Sequence, residues 1–85
     1  MSLSSKHNIF LIGIGGIGMS GLAKYFIEKN KNVFGYDREK SMITIDLTKM
    51  GAKIDYNLKN ITVKYNALPK DDTVVVYTPA IPNNH

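Results

Sequence analysis

Apolar and polar positions alternate between two regimes along the chain. Ile9-Phe10-Leu11-Ile12 is a continuous run of β-branched, aromatic and aliphatic residues, and the segment His7 to Ile12 reads as a first strand. Glycines at 13, 15, 16, 18 and 21 end the run. Met19, Leu22, Ala23, Phe26 and Ile27 then recur at i, i+3, i+4, i+7 and i+8, one apolar stripe on a helix, with Asn30 as its left-handed stop. Val33 to Tyr36 is a second strand that ends at Asp37. Ser41 caps a second helix carrying Ile43, Leu47 and Met50 on one face, and Gly51 lies just past its end. Ala52 to Tyr56 is a short third strand.

From Asn57 to Asp72 the pattern weakens. Asn57, Asn60, Asn66 and Pro69 favour a loop or a short helix, and Ile61-Thr62-Val63 alone resembles a strand fragment. Thr73 to Tyr77 is again continuous and apolar, as expected of a strand buried on both faces in a parallel sheet. Pro79 and Pro82 force Thr78-Pro79-Ala80-Ile81-Pro82 out of that strand as a loop.

Strands alternating with helices define the α/β class. Right-handed crossovers then give a Rossmann-like open parallel sheet of order 3-2-1-4 with flanking helices, the strand order reversing between strand 1 and strand 4.

Composition narrows the function classes. The 85 residues allow one small domain, and an apolar fraction of 44% with 21% charged residues excludes a disordered chain. There is no cysteine, hence no disulfide and no thiolate metal site. The two histidines lie near opposite ends, at His7 and His85, and are expected to be exposed terminal residues rather than a zinc site. No run reaches the ~18–20 apolar residues of a membrane span. The glycines after Ile12 also break any signal-peptide pattern, so the expectation is a cytoplasmic protein with no membrane partner. Residues 1–6 are expected to form a disordered leader and residues 7–85 the domain. The net charge is +4, carried by lysines scattered from Lys6 to Lys70 and one arginine, Arg38. Nucleic-acid readers concentrate such charge on one face, so no nucleic-acid partner is expected.

The chemistry sits in Gly13-x-Gly15-x-x-Gly18, between a strand and a helix. Gly13 permits the tight turn, Gly15 lets a diphosphate approach the backbone, and Gly18 is expected to let the helix pack on strand 1. Amides from Gly15 to Met19 carry the positive end of the helix dipole and favour an anion without a cationic side chain. Ser20 adds a hydroxyl. The bland reading is a tight strand–helix turn and nothing more. Asp37 lies 19 residues after Gly18, where a carboxylate accepts ribose hydroxyls, or where it is simply a turn or cap residue before the second helix. Arg38 beside it suits either a 2′-phosphate or solvent, and solvent is favoured. Thr78, Pro79 and Ala80 leave strand 4 facing the glycine loop across the switch point. Met19 and Tyr77 are expected to pack. No catalytic constellation, metal cluster or Gly-x4-Gly-Lys-Ser/Thr phosphate loop occurs.

The run Ile12 to Ala23, then Gly35-Tyr36-Asp37, Gly51-Ala52-Lys53-Ile54 and Val74 to Pro82, resembles the N-terminal domain of the Mur ligases. Among them it resembles the branch that joins L-alanine to UDP-N-acetylmuramate. The resemblance implies that the domain binds the UDP part of that substrate. Gly15, Gly16, Ile17 and Gly18 would contact the diphosphate through amides, with Ser20 and Thr78 nearby, and Asp37 would hold the ribose. With the loop and switch-point positions, the expected binding set is Gly13, Gly15, Gly16, Ile17, Gly18, Met19, Ser20, Asp37, Thr78, Pro79 and Ala80. ATP and Mg²⁺ would act in further domains of a full-length ligase, so this chain is expected to bind without catalysing and to hold no cofactor itself. Family members often place Gly-His after strand 3. Here Asp55-Tyr56-Asn57 follows Ile54, which leaves the uridine contacts there unassigned. Two other readings stay open: an NAD(P)-binding module, and a ligase that attaches a recycled tripeptide to the same UDP-sugar. Strand 4, Thr73 to Tyr77, is expected to mediate self-association as an unprotected edge.

Overall fold

A computed structural model of the chain describes residues 5–77. The elements are β1 (Asn8–Ile12), α1 (Ile17–Glu28), β2 (Asn32–Tyr36), α2 (Met42–Met50), β3 (Lys53–Asp55), α3 (Leu58–Ala67), a 3₁₀ turn (Lys70–Asp72) and β4 (Thr73–Val76). All strand pairs are parallel and the sheet order is β3-β2-β1-β4, as expected for an α/β Rossmann-like fold. Among the described residues no helix is long and apolar enough to cross a membrane.

Local chemistry sets the element ends. Asn30 adopts φ 63° after α1, and Gly51 caps α2 at φ 119°. Ser41 accepts from the Thr44 amide, while the Thr44 hydroxyl accepts from the Ser41 amide, a reciprocal capping box.

One face of the sheet packs on α1 and α2. Ile9, Leu11 and Val33 meet Met19, Ala23, Phe26 and Leu47 there. Met19 is 7% exposed and Leu22 and Ile27 pack on the same cluster, so the stripe read on α1 is the buried one. On α2 the apolar face is Ile43 and Leu47, whereas Met50 is exposed.

The other face carries α3, where the sequence left a loop or a short helix. Asn57 caps it, its side-chain oxygen accepting from the Lys59 amide at 2.8 Å. Ile61 is buried, and Tyr65 meets Phe10 edge-on at 5.6 Å. Lys64 pairs with Asp55 at 2.7 Å and ties α3 to the end of β3. The Ile61-Thr62-Val63 fragment is therefore helical. Its strand-like residues were outweighed by a cap at one end and an aromatic contact on one face.

Strand β4 departs from the expectation of burial on both faces. Val74 and Val76 pack against the α1/α2 core, but Val75 is 38% exposed and Tyr77 is 64% exposed rather than packed. The reason is geometric. Among the described residues β4 is an edge strand, and α3 lies over β2 and β3, so an open apolar groove of about 370 Å³ remains beside Phe10, Ile12, Leu58 and Val75.

His7 is exposed, as expected, but it is not idle. Its amide and ring nitrogen Nδ1 both meet the Asp72 carboxylate, at 3.0 and 2.9 Å, joining the start of β1 to the start of β4. These hydrogen bonds hold the Asp72 carboxyl below the usual carboxylate range. Lys6, placed in the leader by sequence, donates to the Asp71 carbonyl.

Candidate functional site

The carboxyl ends of the four strands meet the glycine loop. Gly13 turns at φ 79°, a conformation an L side chain resists, and both the Gly13 and Ile14 amides donate to the Tyr36 carbonyl at 2.7 and 3.1 Å. The loop is thus stitched to the end of β2. Ile14 is fully buried and lies across Gly35, where a Cβ would come within 2.5 Å of its Cδ1 and 2.8 Å of its Cβ. Gly35 therefore admits the anchor of the loop, a role that its place in a strand does not announce.

Each amide of the loop can be followed to its acceptor. Gly15 donates to Asp37 Oδ2 at 2.8 Å, Gly16 to the Gly13 carbonyl at 3.0 Å, and Ser20 to the Gly16 carbonyl at 2.8 Å. Gly16 is the N-cap of α1 and offers no side chain. The amides of Ile17, Gly18 and Met19 have no acceptor among the described residues, and no acidic residue lies in the first turn. The unpaired set is thus Ile17 to Met19, narrower than the Gly15 to Met19 read from sequence. Three donors at the positive end of a helix dipole remain for an anion. Ile17 is 88% exposed, so this end of the helix is open.

Three further sequence readings change. A Cβ on Gly18 would meet nothing within 4 Å, so Gly18 is not what lets α1 approach β1. Ser20 is 8% exposed and its hydroxyl donates to the Ile17 carbonyl at 2.9 Å, already engaged within the helix. Met19 contributes a core side chain and a free amide.

Asp37 acts as the turn residue that its alternative reading allowed, while Ser41 caps α2. Oδ2 takes the Gly15 amide and Oδ1 takes the Glu39 amide at 3.2 Å, so the carboxylate clamps the glycine loop to the β2–α2 turn. A carboxylate has about four acceptor sites, which leaves capacity for a ribose hydroxyl. Arg38 is exposed, as favoured. Gly15 is closely confined. A Cβ there would lie 2.8 Å from Asp37 Oδ2 and 3.0 Å from Thr44 Cγ2. Thr44, buried and absent from the sequence reading, also accepts from the Tyr56 hydroxyl at 2.8 Å. Its only signal in the sequence was its spacing from the cap Ser41. Thr78, Pro79 and Ala80 lie outside the described residues, as does His85. No three His, Cys, Asp or Glu side chains converge among the described residues.

A family model described as the Mur ligase family, catalytic domain, matches residues 8–85. The UDP-N-acetylmuramate–L-alanine ligase of Cytophaga hutchinsonii is 45% identical over 85 residues, covering 100% of this chain and 18% of that protein. The enzyme of the same name from Flavobacterium psychrophilum is 45% identical over 89 residues, covering 100% and 19%. The one from Parabacteroides distasonis is 44% identical over 86 residues, covering 100% and 18%. The chain thus spans less than a fifth of the length of these relatives.

Proposed function

Since the chain belongs to the Mur ligase family, we propose that it is the part of an ATP-dependent ligase that binds UDP-N-acetylmuramate, the substrate to which L-alanine is added. The observation that carries this reading is the set of three amides at Ile17, Gly18 and Met19, without an acceptor among the described residues, opening at the carboxyl edge of a parallel sheet. In this reading the diphosphate rests on those amides. The ribose reaches the remaining acceptor capacity of Asp37. Residues 7–85 act as the substrate-holding domain, in the cytoplasm, and Thr78, Pro79 and Ala80 belong to its proposed binding set. ATP supplies the driving force for amide formation in other parts of the enzyme, so the 85-residue chain binds without turnover.

Calorimetric titration of the chain with UDP-N-acetylmuramate, UDP and NAD tests the reading. The expected order is UDP-N-acetylmuramate at least as tight as UDP, with NAD at least about tenfold weaker, a gap of ~1.4 kcal/mol. Preference for NAD contradicts it.

The edge carries a second expectation. Thr73-Val74-Val75-Val76 has no charge, proline or bulge, the usual protections of an exposed strand, and the apolar groove runs beside it. Pairing of β4 with β4 of a second copy buries both. Sedimentation should show a mass rising with concentration, and Val75→Lys should restore the monomer. A parent chain that stays monomeric at millimolar concentration rules this pairing out.

A further inference from the structure

Two elements close on Gly15, the end of β2 through Asp37 and the first turn of α2 through Thr44, and the end of β3 reaches Thr44 through the Tyr56 hydroxyl. Thr44 is fully buried and its hydroxyl is fully used. It accepts from the Ser41 amide at 2.9 Å and from the Tyr56 hydroxyl at 2.8 Å, and donates to the Ser41 carbonyl at 3.1 Å. One donor and two acceptor sites are all that a threonine hydroxyl offers. With all of them satisfied, χ1 is fixed, and so is the direction of the methyl group. That methyl lies 3.0 Å from the point where a Cβ on Gly15 would stand.

We infer that the Thr44 methyl, held in place by the Tyr56 hydroxyl, is a positioning element for the diphosphate site, acting through Gly15. It forms one wall against the loop, and the Asp37 carboxylate, bonded to the Gly15 amide at 2.8 Å, forms the other. Gly15 leads through Gly16 directly into the free amides of Ile17 to Met19. A loop that sinks toward α2 would tilt those amides away from a common anion. Capping alone requires only the hydroxyl of Thr44, so the two roles are carried by different atoms of one side chain.

That separation makes the inference testable, and it rests on the UDP-sugar reading above. Thr44→Ser keeps the hydroxyl network and deletes the methyl. Thr44→Val keeps the methyl volume and leaves the Tyr56 hydroxyl and the Ser41 amide without their acceptor. UDP is titrated into the 85-residue parent and both variants, with thermal melts and the Gly15 amide resonance recorded for each. The Thr44→Ser variant should melt near the parent, bind UDP about five- to tenfold more weakly, and show a displaced Gly15 resonance. Thr44→Val should melt lower yet bring the affinity back to within about threefold of the parent, measured well below its melting temperature. Tyr56→Phe, which removes one of the two hydrogen bonds the Thr44 hydroxyl accepts and leaves both of its bonds to Ser41, should fall between them in affinity. A merely structural role for Thr44 gives the reverse ranking, with Thr44→Ser close to the parent in every readout, and that result overturns the inference. A parent chain that does not bind UDP at all overturns the UDP reading itself and this role with it. A parent that binds alongside an equally tight Thr44→Ser variant overturns the positioning role alone.

Discussion

Gly35→Ala should unfold much of the domain's margin of stability while adding a single methyl group. The new Cβ would stand 2.5 Å from Ile14 Cδ1, 2.8 Å from its Cβ and 2.9 Å from its Cγ2. The close approach to Ile14 Cβ decides the outcome. A flexible chain end can swing aside, but a Cβ moves only with its backbone, and the backbone of Ile14 is held by its amide on the Tyr36 carbonyl. Ile14 is also fully buried, so it has no free volume to retreat into. Overpacking of this kind costs about 1–3 kcal/mol, and the upper half of that range is expected because backbone must shift. In a chain of this size that corresponds to roughly 8–24 °C in melting temperature. The loop should suffer with the core, so UDP binding by the folded fraction should fall as well. A melting temperature within about 2 °C of the parent would show that Ile14 is not wedged on Gly35.

The second large effect is expected at Gly16, where stability and binding should move in opposite directions. Gly16 has φ −69° and ψ 156°, the extended backbone of an N-cap, which any L residue adopts. A Cβ there would sit 3.3 Å from the Gly13 carbonyl oxygen, a contact that a few tenths of an ångström of adjustment relieves. Gly16→Asp therefore places a carboxylate over the amides of Gly18 and Met19. Better capping and favourable dipole alignment should stabilise the helix by about 0.3–1 kcal/mol. The same carboxylate occupies the donors proposed for the diphosphate and repels its charge. UDP affinity should drop at least about tenfold, or ~1.4 kcal/mol. Gly16→Asn, a neutral cap, should show a smaller loss and so separates repulsion from occupancy. Unchanged UDP affinity in Gly16→Asp would exclude the first turn of α1 as the anion site.

The fold was legible where the determinants are local. The strand runs, the stripe on α1, the Ser41 cap and the Asn30 and Gly51 stops each involve residues within a turn or two of one another, and all of them appear in the structure. Sheet order followed from handedness alone. Helix α3 was harder to read because only Ile61 of its apolar residues is buried, Leu58 is left exposed, and its packing depends on Phe10, on a distant strand, meeting Tyr65. The exposure of Val75 was hidden for a similar reason, since a run of valines looks the same at a sheet edge as at its centre. At the site, spacing located the glycine loop and Asp37. It did not disclose which amides were free, because the acceptor of the Gly15 amide is a side chain 22 residues away. Nor did it disclose Gly35 or Thr44, whose roles exist only where Ile14 and Gly15 are brought against them.

The most direct measurement follows amide resonances of the chain during addition of UDP-N-acetylmuramate. The largest displacements are expected at Ile17, Gly18 and Met19, with smaller ones at Gly15 and Asp37, and none of note along α3. Resonances of that first turn that stay in place at saturating ligand, while others move, would locate the substrate elsewhere and contradict the amide cradle.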